Sequence, residues 1–471
     1  MSYLYKGAEW DLELLEKIWE QIDIIGKEYE LDYYTPSIEI VSFDQMIANC
    51  STSAMPSLFD HWTFGKDEVI TLENYKKTGS GLAFEVVINT DPAIAYCQEN
   101  NSTTMQTLVM AHAICGHSSF FKNNYMFKQF TQANKILPYI TSYKKFLKRC
   151  EERYGMKRVE YLLDACITLQ LHAFDSCPKK EKTSEENWKQ MLERIEYNET
   201  RDAEMDTAMP DTVKRNLKVV DKETVDMLYS DSYYKPSENI LKMIGLYSPK
   251  LQKWQRKVIE GFCYIQQYFY PQYLTKVMNE GWASFWHYTI LQTMHERGLI
   301  DDASWLETID SHSMVLYQHP MTPSLNPYTL GFNMFMDIKE KAGDNWRNEI
   351  QWAMENYNDS SFVMQYLSPE VIKKMKLMRL DYKHEDIYQH VLEVKATADE
   401  KDIDLVREEL ARQYEMDSIR PRLMGHVVKQ NHTPHLKIKA PAGTNVGDLQ
   451  HTLDHLWGRD INEIIVENEN G

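Results

Sequence analysis

Two short blocks of this sequence carry the residue types that metal or acid–base chemistry needs. The first is Met110-Ala-His112-Ala-Ile-Cys115-Gly116-His117. His112 shares an apolar stripe with Met105, Leu108, Val109 and Cys115. An imidazole facing a protein interior must find a hydrogen-bond partner or a metal. His117 follows five residues later, which on a regular α-helix leaves the two side chains about 140° apart. Unlike the i, i+4 pair of an H-E-x-x-H helix, they cannot share an ion on an unbroken α-helix. Gly116 offers a remedy, because a helix end or bulge there would swing His117 back toward His112. Spacing alone also fits a satisfied core histidine.

The second block is Asn279-Glu280-Gly-Trp-Ala-Ser284-Phe-Trp-His287. Glu280, Ser284 and His287 fall at i, i+4 and i+7, on one face of a helix expected from about residue 272 to 296. Gly281 and Ala283 are small enough to let another element approach closely. Seven residues rise about 10.5 Å, too far for Glu280 and His287 to bind one ion comfortably. One is then a ligand, and the other a general base, an orienting residue or the ligand of a second ion. A capped and packed amphipathic helix is the competing reading.

The elements that must position these blocks are mostly helical. Leu12, Leu15, Ile18, Trp19, Ile22 and Ile25 trace one face of an opening helix. Ser37 to Val41 and Phe84 to Ile88 are β-branched runs that predict two strands of one small sheet. Asp91-Pro92 reads as an N-cap and first-turn proline, and Thr103-x-x-Gln106 as a capping box opening the His112 helix. Ser248-Pro249, Asn326-Pro327 and Ser368-Pro369 mark further helix starts. Between Pro178 and Met209, 15 of 32 residues are charged, which is too polar for a core helix and reads as a solvated insertion. After about residue 390 the pattern changes. A helix from Asp402 to Tyr414 leads to strands at Arg422–Val428, His435–Ile438 and Asn462–Val466, with a helix from Gly447 to Trp457 among them. The expected organisation is a mainly helical body over residues 1–390, with 178–209 as an insertion, and a small α+β module over 391–471.

Composition bounds the partners. The chain has 471 residues, with 52 basic and 70 acidic side chains giving a net charge of −18. That balance argues against bulk electrostatic capture of nucleic acid or anionic membrane, which needs clustered Lys and Arg. No run reaches the roughly 18 apolar residues that span a bilayer, and no export signal opens the chain. Seven cysteines, without a C-x-x-C pair, suggest a reduced, cytoplasmic protein whose thiols mostly pack in the core.

With these readings in place, the chain resembles the stage V sporulation protein R (SpoVR) family. The resemblance rests on Leu31-Asp-Tyr-Tyr34, His61-Trp-Thr-Phe-Gly-Lys66, Val87-Ile-Asn89, Ala111-His112 with Gly116-His117, and Phe120-Phe-Lys-Asn-Asn124. It continues in Asn279-Glu-Gly-Trp-Ala-Ser284 with His287, and in Asn326-Pro-Tyr328 with Gly331. It implies a role in forming the spore cortex, a peptidoglycan layer, or in cell-envelope development elsewhere. The two most specific of these stretches, Gly116-His-x-x-Phe-Phe-Lys-Asn-Asn124 and Asn279-Glu-Gly-Trp-Ala-Ser284, fall in or beside the His- and Glu-bearing blocks above.

Taken together, His112, His117 and Glu280 imitate gluzincin-type zinc hydrolases, in which two histidines and a glutamate hold the metal and leave one position for water. The expected architecture is therefore a mainly α, zincin-like α+β body with a small sheet. Ala113 stands where H-E-x-x-H would carry its general base, so Glu280, His287 or Glu85 must serve. The first functional expectation is a zinc-dependent hydrolase with His112, His117 and Glu280 as ligands and Glu280 and His287 as catalytic groups. The second is a non-enzymatic regulator or scaffold that binds protein partners. His312, His319 and Asn326 can approach the same cleft, but nothing in their spacing requires it.

Overall fold

The computed structural model describes residues 3–52, 55, 58–78, 85–177, 237–318, 325–377, 379–382, 392–395, 400–430, 433–441, 443–458 and 462–467. The charged stretch 178–209 and His319 lie outside these residues. The chain is mainly helical with small sheets, and it divides into two compact units. One holds Met1–Met156 and Tyr268–Arg420, the other Lys157–Gln267 and Pro421–Gly471.

The first unit opens with the expected amphipathic helix, Leu12–Glu28. Its start is capped by Asp11, which accepts from the Leu14 amide, and Leu15, Ile18, Ile22 and Ile25 are buried. A three-stranded sheet follows, built from β1 (Pro36–Val41), β2 (Glu85–Ile88) and β3 (Ala93–Gln98) in the order β1-β3-β2. The β1 and β2 runs match their expected positions. The third strand corrects the helix start read at Asp91-Pro92: residues 93–98 form the central strand, parallel to β1 and antiparallel to β2. Ala93, Ala95 and Cys97 are fully buried along it. Two-sided strand pairing overrides the local capping signal, since a central strand satisfies its backbone groups against both neighbours.

The helix Thr103–Met110 is capped one residue earlier than expected. The Ser102 hydroxyl accepts from the Met105 amide, while the Gln106 amide reaches away to the Gln98 carbonyl. This helix continues directly into a π-helical segment, Ala111–Ser118. The sheet packs on that segment through Ala95, Ala113 and Ile114.

Behind it runs the central helix, Lys276–Glu296, which buries Trp282, Phe285, Trp286 and Ile290 in the main core. The helices Asp302–Val315 and Pro327–Ala342 flank it, the latter capped by Asn326 with Pro327 in its first turn, as expected. Ser368 likewise caps Pro369–Lys374. Two close crossings fix the central helix. A Cβ on Gly116 would lie 2.5 Å from Ala283 Cα, and one on Gly331 would overlap the Val277 carbonyl oxygen and lie 2.7 Å from Gly281 Cα. The small residues are thus required for backbones to meet.

In the second unit, β6 (Met424–Gln430), β7 (Thr433–Pro441) and β8 (Asn462–Glu467) form the C-terminal sheet, with β7 central, antiparallel to β6 and parallel to β8. They follow a short antiparallel pair in the first unit, β4 (Arg379–Tyr382) and β5 (Leu392–Lys395). The expected helix among the C-terminal strands spans Val446–Leu456. Ser248 ends the helix Ile240–Tyr247 instead of starting the next: its amide donates to the Ile244 carbonyl and its hydroxyl to the Leu456 carbonyl. The next helix begins at Lys253. Five of the seven cysteines are buried and none is paired, in keeping with core packing.

The crossings make a direct prediction. Gly331→Ala should destabilise the protein by about 1–3 kcal/mol through overpacking. Gly65→Ala, in the helix Trp62–Thr78 where the new methyl meets nothing within 4 Å, should be neutral or stabilising by up to about 1 kcal/mol. Urea denaturation of the two variants side by side checks both signs.

Candidate metal centre

The obstacle posed by the five-residue spacing of His112 and His117 disappears because the chain is π-helical there. Hydrogen bonds running i to i+5 widen the turn and bring residues five apart onto nearly the same side. The two imidazole rings meet edge to face, with centroids 4.6 Å apart at 88°. Ser119 closes the segment, its hydroxyl donating to the Cys115 carbonyl at 2.5 Å and the Gly116 carbonyl at 2.9 Å. Trp282 of the central helix donates to the same hydroxyl at 2.8 Å. The wide turn is therefore fastened to the helix that carries Glu280.

Each histidine has one nitrogen engaged outward and the other turned to a carboxylate. His117 Nδ1 donates to Asn279 Oδ1 at 2.9 Å, and its Nε2 lies 3.5 Å from Glu280 Oε2. His112 Nδ1 lies 2.8 Å from His287 Nδ1, and its Nε2 lies 3.6 Å from Glu85 Oε1 at the start of β2. One donor atom from each of His112, His117 and Glu280 falls within 4.8 Å of the others. This is the layout in which a ligating ring is oriented through its other nitrogen.

The electrostatics are those of a buried cluster of imidazoles and carboxylates. Burial, reinforced by the nearby Glu280 carboxylate, pushes the Glu85 carboxyl up to about 8. Burial pushes His112 and His287 well below the ordinary histidine range, helped by the neighbouring rings, and brings His312 down to about 4. Burial also raises the Tyr328 phenol, with both carboxylates adding to the effect. Glu280 Oε2 is buried and accepts no hydrogen bond. No Lys or Arg ion pair to Glu85 or Glu280 occurs among the described residues. Two close carboxylates facing imidazole lone pairs lack a positive charge, and a divalent cation fits that donor set.

His112, His117 and Glu280 thus meet as the sequence suggested, and Glu85 joins them from the sheet. His287 sits elsewhere than a ligand of the same cluster: it contacts His112 from outside, and its own Nε2 lies 2.7 Å from His312 Nδ1. Local sequence patterns gave Asn279 and Tyr328 no role, although each sits in a block quoted above. Asn279 directly precedes Glu280, and Tyr328 opens the helix that crosses at Gly331.

Buried imidazoles and carboxylates, converging from a π-helix, a strand and a packed helix, define this as a helical protein built around a His/Glu cluster. The chain belongs to the SpoVR family: the model for SpoVR like protein matches residues 9–419. A curated relative, described as an uncharacterized protein YcgB from Escherichia coli (strain K12), is 34% identical over 499 residues, covering 99% of this chain and 94% of the relative. No solved structure matches. No helix among the described residues is long and apolar enough to cross a membrane.

One further residue positions the cluster. Asp359, itself buried, accepts from the Val277 and Met278 amides at 2.8 Å each and so caps the central helix just before Asn279 and Glu280. Burial pushes its carboxyl up to about 7, against the lowering effect of these amides. Asp359→Ala should cost about 1–3 kcal/mol per orphaned buried amide, read as a lowered urea midpoint.

Proposed function

We propose that the chain is a zinc-dependent hydrolase of the SpoVR family. His112, His117 and Glu280 would hold the metal, and Glu85 would take the place of the base that Ala113 cannot supply. The observation that carries this reading is the convergence of one donor atom each from His112, His117 and Glu280 within 4.8 Å of one another, with the buried Glu280 Oε2 accepting no hydrogen bond. That oxygen faces His117 Nε2 at 3.5 Å, while both histidines are engaged through Nδ1. Zinc in such a site would polarise a substrate carbonyl and a water molecule. The protein groups then divide the remaining work. Glu85 accepts the proton of the attacking water, and the Tyr328 phenol donates to oxygen where negative charge develops. His287 stands behind His112 as an orienting group and not as the base. The zincin-like comparison rests on this donor set alone, and the π-helical spacing of its histidines is unlike the i, i+4 pair of H-E-x-x-H.

The cellular setting comes from the family, whose name links it to sporulation. Peptidoglycan of the spore cortex or cell envelope, or the precursors made for it in the cytoplasm, is the substrate class this suggests, and a cytoplasmic protein would meet the precursors. A second reading is a non-catalytic regulator that binds protein partners. Its support is the burial of the cluster, with His112 only 4% exposed and His287 only 1%.

Purified wild type protein should carry roughly one metal ion per chain, and His112→Ala and Glu280→Gln should lose it. At free metal 100-fold above its Kd, the bound ion should contribute about 2.7 kcal/mol to stability. Elemental analysis together with melting curves before and after chelation reads both, and a metal-free wild type whose melting is unchanged by chelation sinks the centre. Catalysis separates the two readings. Metal-loaded wild type should release fragments from peptidoglycan precursors or isolated peptidoglycan, detected by mass spectrometry, whereas folded Glu85→Gln should not. Fragment release that survives in Glu85→Gln removes that residue as the base, and no release by the wild type favours the regulator.

A further inference from the structure

His112 is one end of a row of three imidazoles. Its Nδ1 lies 2.8 Å from His287 Nδ1, and His287 Nε2 lies 2.7 Å from His312 Nδ1. The three rings come from the π-helix, the central helix and the helix Asp302–Val315. They are 4%, 1% and 6% exposed. Phe332 and Tyr288 pack on the His312 ring, with centroids 4.7 Å and 5.0 Å away. Each nitrogen–nitrogen contact is short enough to require one shared proton. A neutral imidazole carries a single ring proton, so choosing the proton's position on one ring dictates it on the next.

We propose that His287 and His312 are positioning residues that support His112 as an Nε2 metal ligand by accepting in turn along this hydrogen-bond row, whose direction ligation selects. A ligand bound through Nε2 has no proton there, so His112 keeps its proton on Nδ1 and donates to His287 Nδ1. His287 then carries its proton on Nε2 and donates to His312 Nδ1. His312 in turn carries its proton on Nε2, at the far end of the row. The opposite direction would put a proton on His112 Nε2 and block ligation. His117 is locked by simpler means, since Asn279 Oδ1 can only accept from its Nδ1. The two histidines are therefore oriented by different devices, one carboxamide and one pair of further imidazoles. This inference rests on the metal centre proposed above.

The test uses the full chain loaded with zinc. Nitrogen-15 NMR of histidine-labelled protein should show His112 protonated on Nδ1, and His287 and His312 both protonated on Nε2. His312→Leu removes the terminal acceptor and should weaken zinc binding about tenfold or more. His312→Asn restores an acceptor near the position of Nδ1 and should keep affinity within about twofold of wild type, by the same orienting argument. A merely structural role for His312 would not produce rescue by Asn together with the tautomer pattern. Zinc affinity unchanged in folded His312→Leu, or His287 protonated on Nδ1, overturns the row while leaving the metal centre standing. Wild type protein that takes up no zinc overturns both.

Discussion

The closeness with which the central helix meets its neighbours is the constraint on which the site depends. Gly116 meets Ala283 on one side and Gly331 meets Gly281 on the other, each at distances that admit no additional carbon. Any larger residue at these crossings would push the backbones apart. Glu280 directly precedes Gly281 and lies three residues before Ala283, so its carboxylate is held against His117 from one helix and Tyr328 from another. The large aromatics Trp282, Phe285 and Trp286 fill the rest of the helix surface with apolar burial. Packing energy from these rings, at roughly 25 cal/mol per Å² of apolar surface removed from water, supports a pocket that is unfavourable in itself.

That pocket is unfavourable because it gathers like charges out of water. Glu85 and Glu280 stand near one another with burial raising the cost of ionisation. The rings around them are pushed toward neutrality, so they supply lone pairs instead of compensating charge. Proteins tolerate such arrangements where function needs them, and perturbed groups gather at sites for that reason. The π-helix belongs to the same economy of strain: its hydrogen bonding is less common than that of an α-helix, and such segments recur at functional positions.

The distribution of roles also explains why both imidazoles show the same outward engagement. Each Nδ1 is held by a group on the central helix, Asn279 for His117 and His287 for His112. A single helix therefore supplies a carboxylate for the cluster and the orienting partners of both histidines. Its own N-terminus is tied to Asp359. Displacing this helix by even a fraction of a turn would disturb every one of these contacts together.

Much of this was legible in the sequence. The amphipathic face of the opening helix, the caps at Asn326 and Ser368, the strands β1 and β2, and the C-terminal strands follow from local periodicity and capping chemistry. The two His- and Glu-bearing blocks stood out by residue type, and Gly116 and Gly281 marked where the chain had to bend or pack closely. What the sequence could not decide depended on partners far along the chain. Residues 93–98 became a strand because β1 and β2 flank them, against a local cap signal at Asp91-Pro92. Glu85 reached His112 only through that sheet. His287, seven residues from Glu280, was placed behind His112 because the π-helix turned that ring toward it. Local sequence sets the preferences of a few neighbouring residues, whereas nitrogen-to-oxygen distances across the cluster are set by how helices and strands from separate stretches pack together, and only the tertiary structure fixes those.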